Sequence, residues 1–236
     1  MADDVHLGGT LGKYAVNQIK GKSIAVVDDR TAYGQGVADE FEKGVKAAGG
    51  KVIGREFTND KATDFTAILT SIKAKKPDVV FFGGMDAVAG PMLRQMKQLG
   101  INAKFMGGDG ICTSELPKLA AGSMSDGQVV CAEAGGVEGE AKKSMEAFAQ
   151  KFKAKFNTDV QLYAPYVYDA VNVMVAAMQK ANSTEPAKFL PVLASTSGYK
   201  GVTGTIAFDQ KGDIKNGALT LYTYKADKRD LLSVVR

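Results

Sequence analysis

Soft metal ligands are scarce in this sequence. Of 236 residues one is histidine, His6, and two are cysteine, Cys112 and Cys131. His6 lies in a glycine-rich leader far along the chain from either thiol, which argues against a metal centre built on imidazole and thiolate. The cysteines alone leave two readings open: a pair of small buried hydrophobes, or a bridge whose closed loop would add ~3 kcal/mol. Long apolar runs are missing as well, and none approaches the ~20 residues of a membrane helix. The opening Met1-Ala2-Asp3-Asp4 has neither the basic nor the apolar region of a secretory signal, so the expectation is a cytoplasmic chain or a form whose signal has gone. Nor does one sign of charge dominate. Thirty Lys+Arg face 26 Asp+Glu for a formal +4, and the cations are mixed with acids along helix faces. Nucleic-acid binders gather them in a patch or stripe.

What is present is enough apolar residue, 45%, for a sizeable core, organised as a repeated strand–helix unit. Ser23-Ile24-Ala25-Val26-Val27 is a continuously apolar run suited to a parallel strand buried on both faces, and it ends in Asp28-Asp29. A helix begins near Tyr33, with Val37, Phe41 and Val45 on one face and Asp39, Glu40, Glu42, Lys43 and Lys46 on the other. Gly49-Gly50 stops it. The pattern recurs. A strand near Lys51–Phe57 precedes a helix from about Asp64 to Lys75, which Asp64 can cap. Val79–Phe82 precedes a helix from about Ala87 to Leu99, and Ala103–Met106 runs into Gly107-Gly108-Asp109-Gly110. Such spacing predicts a doubly wound α/β parallel sheet of the Rossmann-like kind, with ligands at the carboxyl ends of the strands.

Beyond Ser114 the sequence predicts a short helix over Glu115–Ala120 and a strand around Gly127–Ala132. Helices follow over Glu138–Phe156, Ala164–Asn182 and Pro186–Ala194, the second with Val167, Val171, Met174, Val175 and Met178 inward. From Thr203 the character changes to two or three strands joined by hairpin-type turns, which implies a second structural region.

Three chemistries compete at the loops that follow the strands. A dinucleotide site needs G-x-G-x-x-G directly after the first strand, but Gly34-Gln35-Gly36 comes late and lacks the third glycine. A phosphoacceptor signalling domain would hold Mg²⁺ on Asp28, Asp29 and Asp86; against it, Asp86 lies past a Gly-Gly and no lysine ends a fifth strand. The plain alternative for the acidic pair is a solvated turn or helix cap. The third chemistry is a cleft for a small zwitterion. Asp109, between glycines, would hold an ammonium by charge-assisted hydrogen bonds, and Tyr33 offers an apolar ring with a hydroxyl handle. Otherwise Asp109 is a turn residue and Tyr33 a boundary aromatic.

The segments DDRTAYGQGVADEFEKGVKAAGGKV, DVVFFGGMDAVAGPMLRQMKQLGI, FMGGDGI and FDQKGDIKNGALTLYTY, in this order, resemble the periplasmic branched-chain amino acid (Leu/Ile/Val) binding proteins of ABC importers. The likeness runs from about Gly9 to the C-terminus. It implies the type I periplasmic-binding-protein fold, which closes two lobes on an amino acid and delivers it to a membrane permease, in the periplasm, without a cofactor or a catalytic residue. Tyr33 resembles the tyrosine lining the cleft, and Asp109 stands where the family pairs an acidic residue with the ligand's α-ammonium. Met85, or its neighbour Asp86, matches a cleft position that is often aromatic.

The same resemblance implies that most of the first lobe is missing. It assigns residues 1–12 to a flexible leader or deletion junction and 13–160 to the second-lobe α/β domain. Residues 161–213 become helices and a strand that normally belong to the first lobe, and 214–236 strands returning to the second. The orphaned first-lobe surfaces suggest a homodimer or strand exchange. An oxidising compartment shifts Cys112 and Cys131 toward a disulfide.

Overall fold

The computed structural model describes residues 2–135, 139–215 and 217–235. After α1 (Asp4–Asn17) the chain alternates β1 (Ile24–Asp28), α2 (Ala32–Ala47), β2 (Val52–Phe57), α3 (Thr66–Ala74), β3 (Val79–Gly83), α4 (Asp86–Gln98) and β4 (Lys104–Gly107). A single 3₁₀ turn (Asp109–Ile111), α5 (Leu116–Ala120) and β5 (Val129–Ala134) follow. Next come α6 (Gly139–Phe156), α7 (Ala164–Ala181), α8 (Pro186–Ala194), β6 (Tyr199–Gly201), β7 (Gly204–Ile206), β8 (Leu219–Lys225) and β9 (Lys228–Val235). The expected start of α6 at Glu138 lies outside the described residues.

These elements form two compact units. The larger takes residues 4–134 and 219–235, and the smaller is essentially Gly135–Ala218. In the larger, one seven-stranded sheet runs in the order β2-β1-β3-β4-β5-β8-β9, with β1 to β5 parallel and the last two antiparallel. Every residue of β1, β3 and β5 is buried, as continuous apolar runs predict for strands covered on both sides. Side chains alternate across the sheet. On one face Phe41 of α2 stacks on Phe81 at 3.9 Å between ring centres. On the other Val80, Phe82 and Phe105 pack with Phe65 and Leu69 and with Met92 and Met96 of α4.

Several expectations change here. The glycine-rich stretch read as a flexible leader is helical from Asp4, because Gly8 and Gly12 let α1 lie directly on α2. A Cβ at Gly8 would sit 2.6 Å from the Val37 carbonyl, and one at Gly12 would sit 2.6 Å from the Val45 amide. Leu7 and Leu11, on the same side, are buried. The C-terminal hairpin makes no separate region, since β8 pairs with β5 and extends the same sheet. The larger unit stops at Ala134, so α6 falls in the smaller one rather than in a domain reaching residue 160.

In the smaller unit α7 turns a different side inward than its periodicity suggested. Asp169, Val173 and Ala177 are buried, while Val167 (58%), Val171 (50%) and Val175 (42%) are exposed. Asp169 fixes that choice. Its carboxylate accepts from the amides of Val202 and Thr203 (2.9 and 2.8 Å) and the Thr203 hydroxyl (2.6 Å), which seats the β6–β7 turn on the helix. A buried carboxylate needs such partners more than a valine needs a cover. Among the described residues no helix is long and apolar enough to cross a membrane.

Candidate functional site

The strand order reverses between β1 and β3, and in an open α/β sheet the crevice at that point takes the ligand. The carboxyl end of β1 is the first component of this edge. Asp28, fully buried, is neutralised by Arg55, which reaches it with Nε at 2.8 Å and Nη2 at 2.7 Å. The parallel register sets Arg55 beside Val26, two residues before that carboxylate. Asp29, also buried, turns the chain into α2: one oxygen accepts from the Thr31 amide and hydroxyl (3.0 and 2.6 Å), and Thr31 Oγ1 caps the helix by accepting from the Gly34 amide at 2.9 Å. Its other oxygen is buried with no hydrogen-bond partner among the described residues. The acidic pair is therefore not a solvated turn: Asp28 is paired with Arg55, and Asp29 orders the Thr31 cap of α2. Among the described residues no group of three His, Cys, Asp or Glu could hold a metal ion, and Asp86 is engaged elsewhere.

Asp29 and Thr31 together set the first turn of α2 and so place Tyr33. Its hydroxyl donates to Asp109 Oδ1 at 2.8 Å and accepts from the Gly110 amide at 3.1 Å. The sequence singled out Tyr33 and Asp109 separately, and the structure joins them although β3 lies between their strands. Glycine at the end of β3 allows it. A Cβ at Gly83 would meet the Gly34 carbonyl, and one at Gly110 would lie 2.6 Å from the Gly84 carbonyl, 2.8 Å from the Met85 sulfur and 3.1 Å from the Tyr33 ring. The three loops close on one another only without those side chains. Asp109 is 7% exposed and Met85, at the N-terminus of α4, 42% exposed. Asp86 does not join Tyr33. Its Oδ2 accepts from the Thr113 hydroxyl at 2.6 Å and so holds the loop that follows Asp109.

That loop is tied down further. Cys112 is bridged to Cys131 of β5 (Cα–Cα 5.3 Å), fastening it to the sheet. The Tyr224 hydroxyl donates to the carbonyls of Ile111 and Thr113 (3.3 and 2.7 Å), and Arg229 Nη1 donates to the Cys112 carbonyl at 3.0 Å and to Glu133 at 2.9 Å. Burial holds the Glu133 carboxyl above the usual carboxylate range, with the Asp109 charge adding to the rise and Arg229 opposing it. Burial, then the Glu133 charge, pushes the Tyr222 phenol up to about 12. Sequence reasoning missed Glu133, Tyr224 and Arg229. A lone glutamate in the otherwise apolar VVCAEA of β5 was the available signal, because a charge in a fully buried strand demands a partner. What the edge offers chemically is a carboxylate oriented by a phenol beside a half-exposed thioether. It suits an ammonium with an apolar neighbour.

A sequence profile described as periplasmic binding protein matches residues 2–229. The chain is 34% identical over 220 residues to the "Leucine-, isoleucine-, valine-, threonine-, and alanine-binding protein" of Pseudomonas aeruginosa, covering 93% of this chain and 58% of the relative. It is 31% identical over 222 residues to the "Leu/Ile/Val-binding protein homolog 1" of Brucella abortus, covering 94% and 58%. It thus spans 58% of the length of these curated relatives. Among solved structures it is similar in fold to a leucine-binding protein of Thermotoga maritima, with a TM-score of 0.89 and 22% identity over 98% of this chain and 65% of that one. The isoleucine complex of a branched-chain amino acid transporter substrate-binding protein from Streptococcus pneumoniae gives 0.83 and 24%, over 99% and 65%.

Proposed function

Because the chain belongs to the periplasmic binding protein family, we propose that it is the substrate-binding component of an ABC-type amino acid importer, taking leucine-like aliphatic amino acids. The observation that carries this is the Tyr33–Asp109 pair beside Met85 at the reversal of strand order. Asp109 takes the ligand's ammonium, Tyr33 orients that carboxylate, and Met85 and the Tyr33 ring meet the apolar side chain. Asp86 holds the loop. The relatives' names support the ligand class, both naming leucine, isoleucine and valine and one adding threonine and alanine. The Cys112–Cys131 bridge supports an oxidising compartment, the periplasm, and hence a membrane permease as the receiving partner. The role is binding and release, with no bond made or broken.

Affinity requires a second wall for the α-carboxylate and for the far side of the side chain. Calorimetric titration with leucine, isoleucine and valine, on the chain and on Asp109→Ala, tests the reading. Weak binding is expected, and the substitution should cost about tenfold to a hundredfold, the worth of one charge-assisted hydrogen bond. Binding that Asp109→Ala leaves untouched would sink the placement of the ammonium.

The exposed Val167, Val171 and Val175 of α7 support association of two copies through that face. Light-scattering mass should halve in Val171→Asp; a monomeric mass for the unsubstituted chain would end this second reading.

A further inference from the structure

Three successive carbonyls after Asp109, those of Ile111, Cys112 and Thr113, accept hydrogen bonds from side chains of the β8–β9 hairpin, which lies more than a hundred residues further along the chain. Tyr224 shares its one hydroxyl proton between the outer two, chiefly with Thr113 at 2.7 Å, and Arg229 takes the middle one. The Cys112 amide in turn donates to the Asp109 carbonyl at 3.0 Å, so the turn that presents Asp109 is closed by the same residue that Arg229 grips. Arg229 does a second thing from the same position. It binds the buried carboxylate of Glu133, which would otherwise stand unpaired within electrostatic reach of Asp109, and its guanidinium lies 4.9 Å from the centre of the Tyr222 ring. A guanidinium suits such a place because it is planar, permanently charged and more weakly hydrated than an ammonium.

We propose that Arg229 is a positioning residue for Asp109, holding the Asp109–Thr113 loop in its binding conformation by clamping the Cys112 carbonyl and neutralising Glu133. Only the affinity part of the test rests on the amino acid reading; the clamp is measured without ligand. The support is of the kind a binding carboxylate needs, since a group held loosely by its surroundings loses the geometry its ligand requires.

The experiment is amide hydrogen exchange and carboxyl titration by NMR on the full chain and on Arg229→Gln, Arg229→Lys and Tyr224→Phe. In Arg229→Gln the Gly110, Ile111 and Cys112 amides should exchange about tenfold faster, the loss of one charge-assisted hydrogen bond, while Val80 and Phe81 in β3 keep their rates. Glu133 should titrate higher than in the unsubstituted protein. Arg229→Lys, keeping a cationic donor, should recover much of both effects. Loop and β3 amides accelerating together would show a merely structural role and overturn the proposal, as would unchanged loop amides or a lysine variant no better than glutamine. Should Arg229→Gln fail to fold, Tyr224→Phe decides: faster loop amides with an unmoved Glu133 titration support the hairpin clamp, and unmoved amides refute it. Where the chain binds leucine, Arg229→Gln should weaken it about tenfold. If the chain binds no amino acid, the proposed function has failed while the exchange rates still decide the clamp.

Discussion

Alanine at residue 12 and alanine at residue 9 should move stability in opposite directions, although the two glycines lie in the same helix and three residues apart. In a helix interior, glycine to alanine gains about 1 kcal/mol from the backbone alone. At Gly9 a Cβ would find nothing within 4 Å, so that gain should appear whole. At Gly12 the new carbon would lie 2.6 Å from the Val45 amide and nearer still to the Phe41 carbonyl, both backbone atoms of α2. Carbon contacts settle at about 3.5–4.0 Å, so α1 would have to back away from α2 by roughly an ångström. Overpacking of this kind costs about 3 kcal/mol where backbone cannot yield, leaving Gly12→Ala about 2 kcal/mol less stable after the helical gain. Urea unfolding followed by circular dichroism reads the difference. With a slope of about 2 kcal/mol per molar, the midpoint should rise by about 0.5 M in Gly9→Ala and fall by about 1 M in Gly12→Ala. A Gly12→Ala midpoint at or above that of the unsubstituted protein would refute the close seating of α1. If neither variant moved the midpoint, the glycine-rich residues up to Gly12 would be the flexible leader that the sequence suggested.

Two further outcomes follow from the loop behind Asp109. An unfolded tyrosine ionises near pH 10, whereas Tyr222 is held up to about 12 by burial and then by Glu133, so the unfolded chain loses its proton first. That contribution to stability is fully present below pH 10 and lost as pH rises through about 12, and Tyr222→Phe should flatten the decline; an unchanged slope between pH 10 and 12 would refute the assignment. Reducing the Cys112–Cys131 bridge, which links residues 19 apart, should lower unfolding stability by about 3 kcal/mol. Matching urea midpoints with and without reductant would show that the surrounding hydrogen bonds suffice.

The parallel half of the sheet was legible because it is written locally. Ile24–Val27 and Val79–Phe82 are continuous apolar runs, and Val37, Phe41 and Val45 mark a helix face that is indeed buried. The end of α2 was legible because glycine sets it, at Gly49 with φ +78°. Local propensity failed at α1, since glycine lowers helix propensity yet permits the contact with α2 that more than compensates. Periodicity failed at α7 for another reason. It defines an apolar face but not whether anything covers it, and the Asp169 clasp turned the opposite side inward. At the site, Tyr33 and Asp109 were each visible as residues with suitable chemistry beside glycines. Their contact was not, because it depends on β3 lying between β1 and β4. The lone glutamate in β5 announced that a partner was needed, but that the partner is Arg229, 96 residues on, had no local signature.

The antiparallel end of the sheet has a consequence for synthesis. β5 takes β8 as its outer neighbour, yet everything from Gly135 to Ala218 is translated between them. Until Leu219 and its successors emerge, the carbonyls and amides along the outer side of β5 have no strand to pair with, and the buried Glu133 has no cation. An unpaired edge of that length is a template for the wrong strand, from the same chain or another. A nascent chain stalled before Leu219 should therefore bind chaperones that recognise open sheet edges, and release them once β8 has docked.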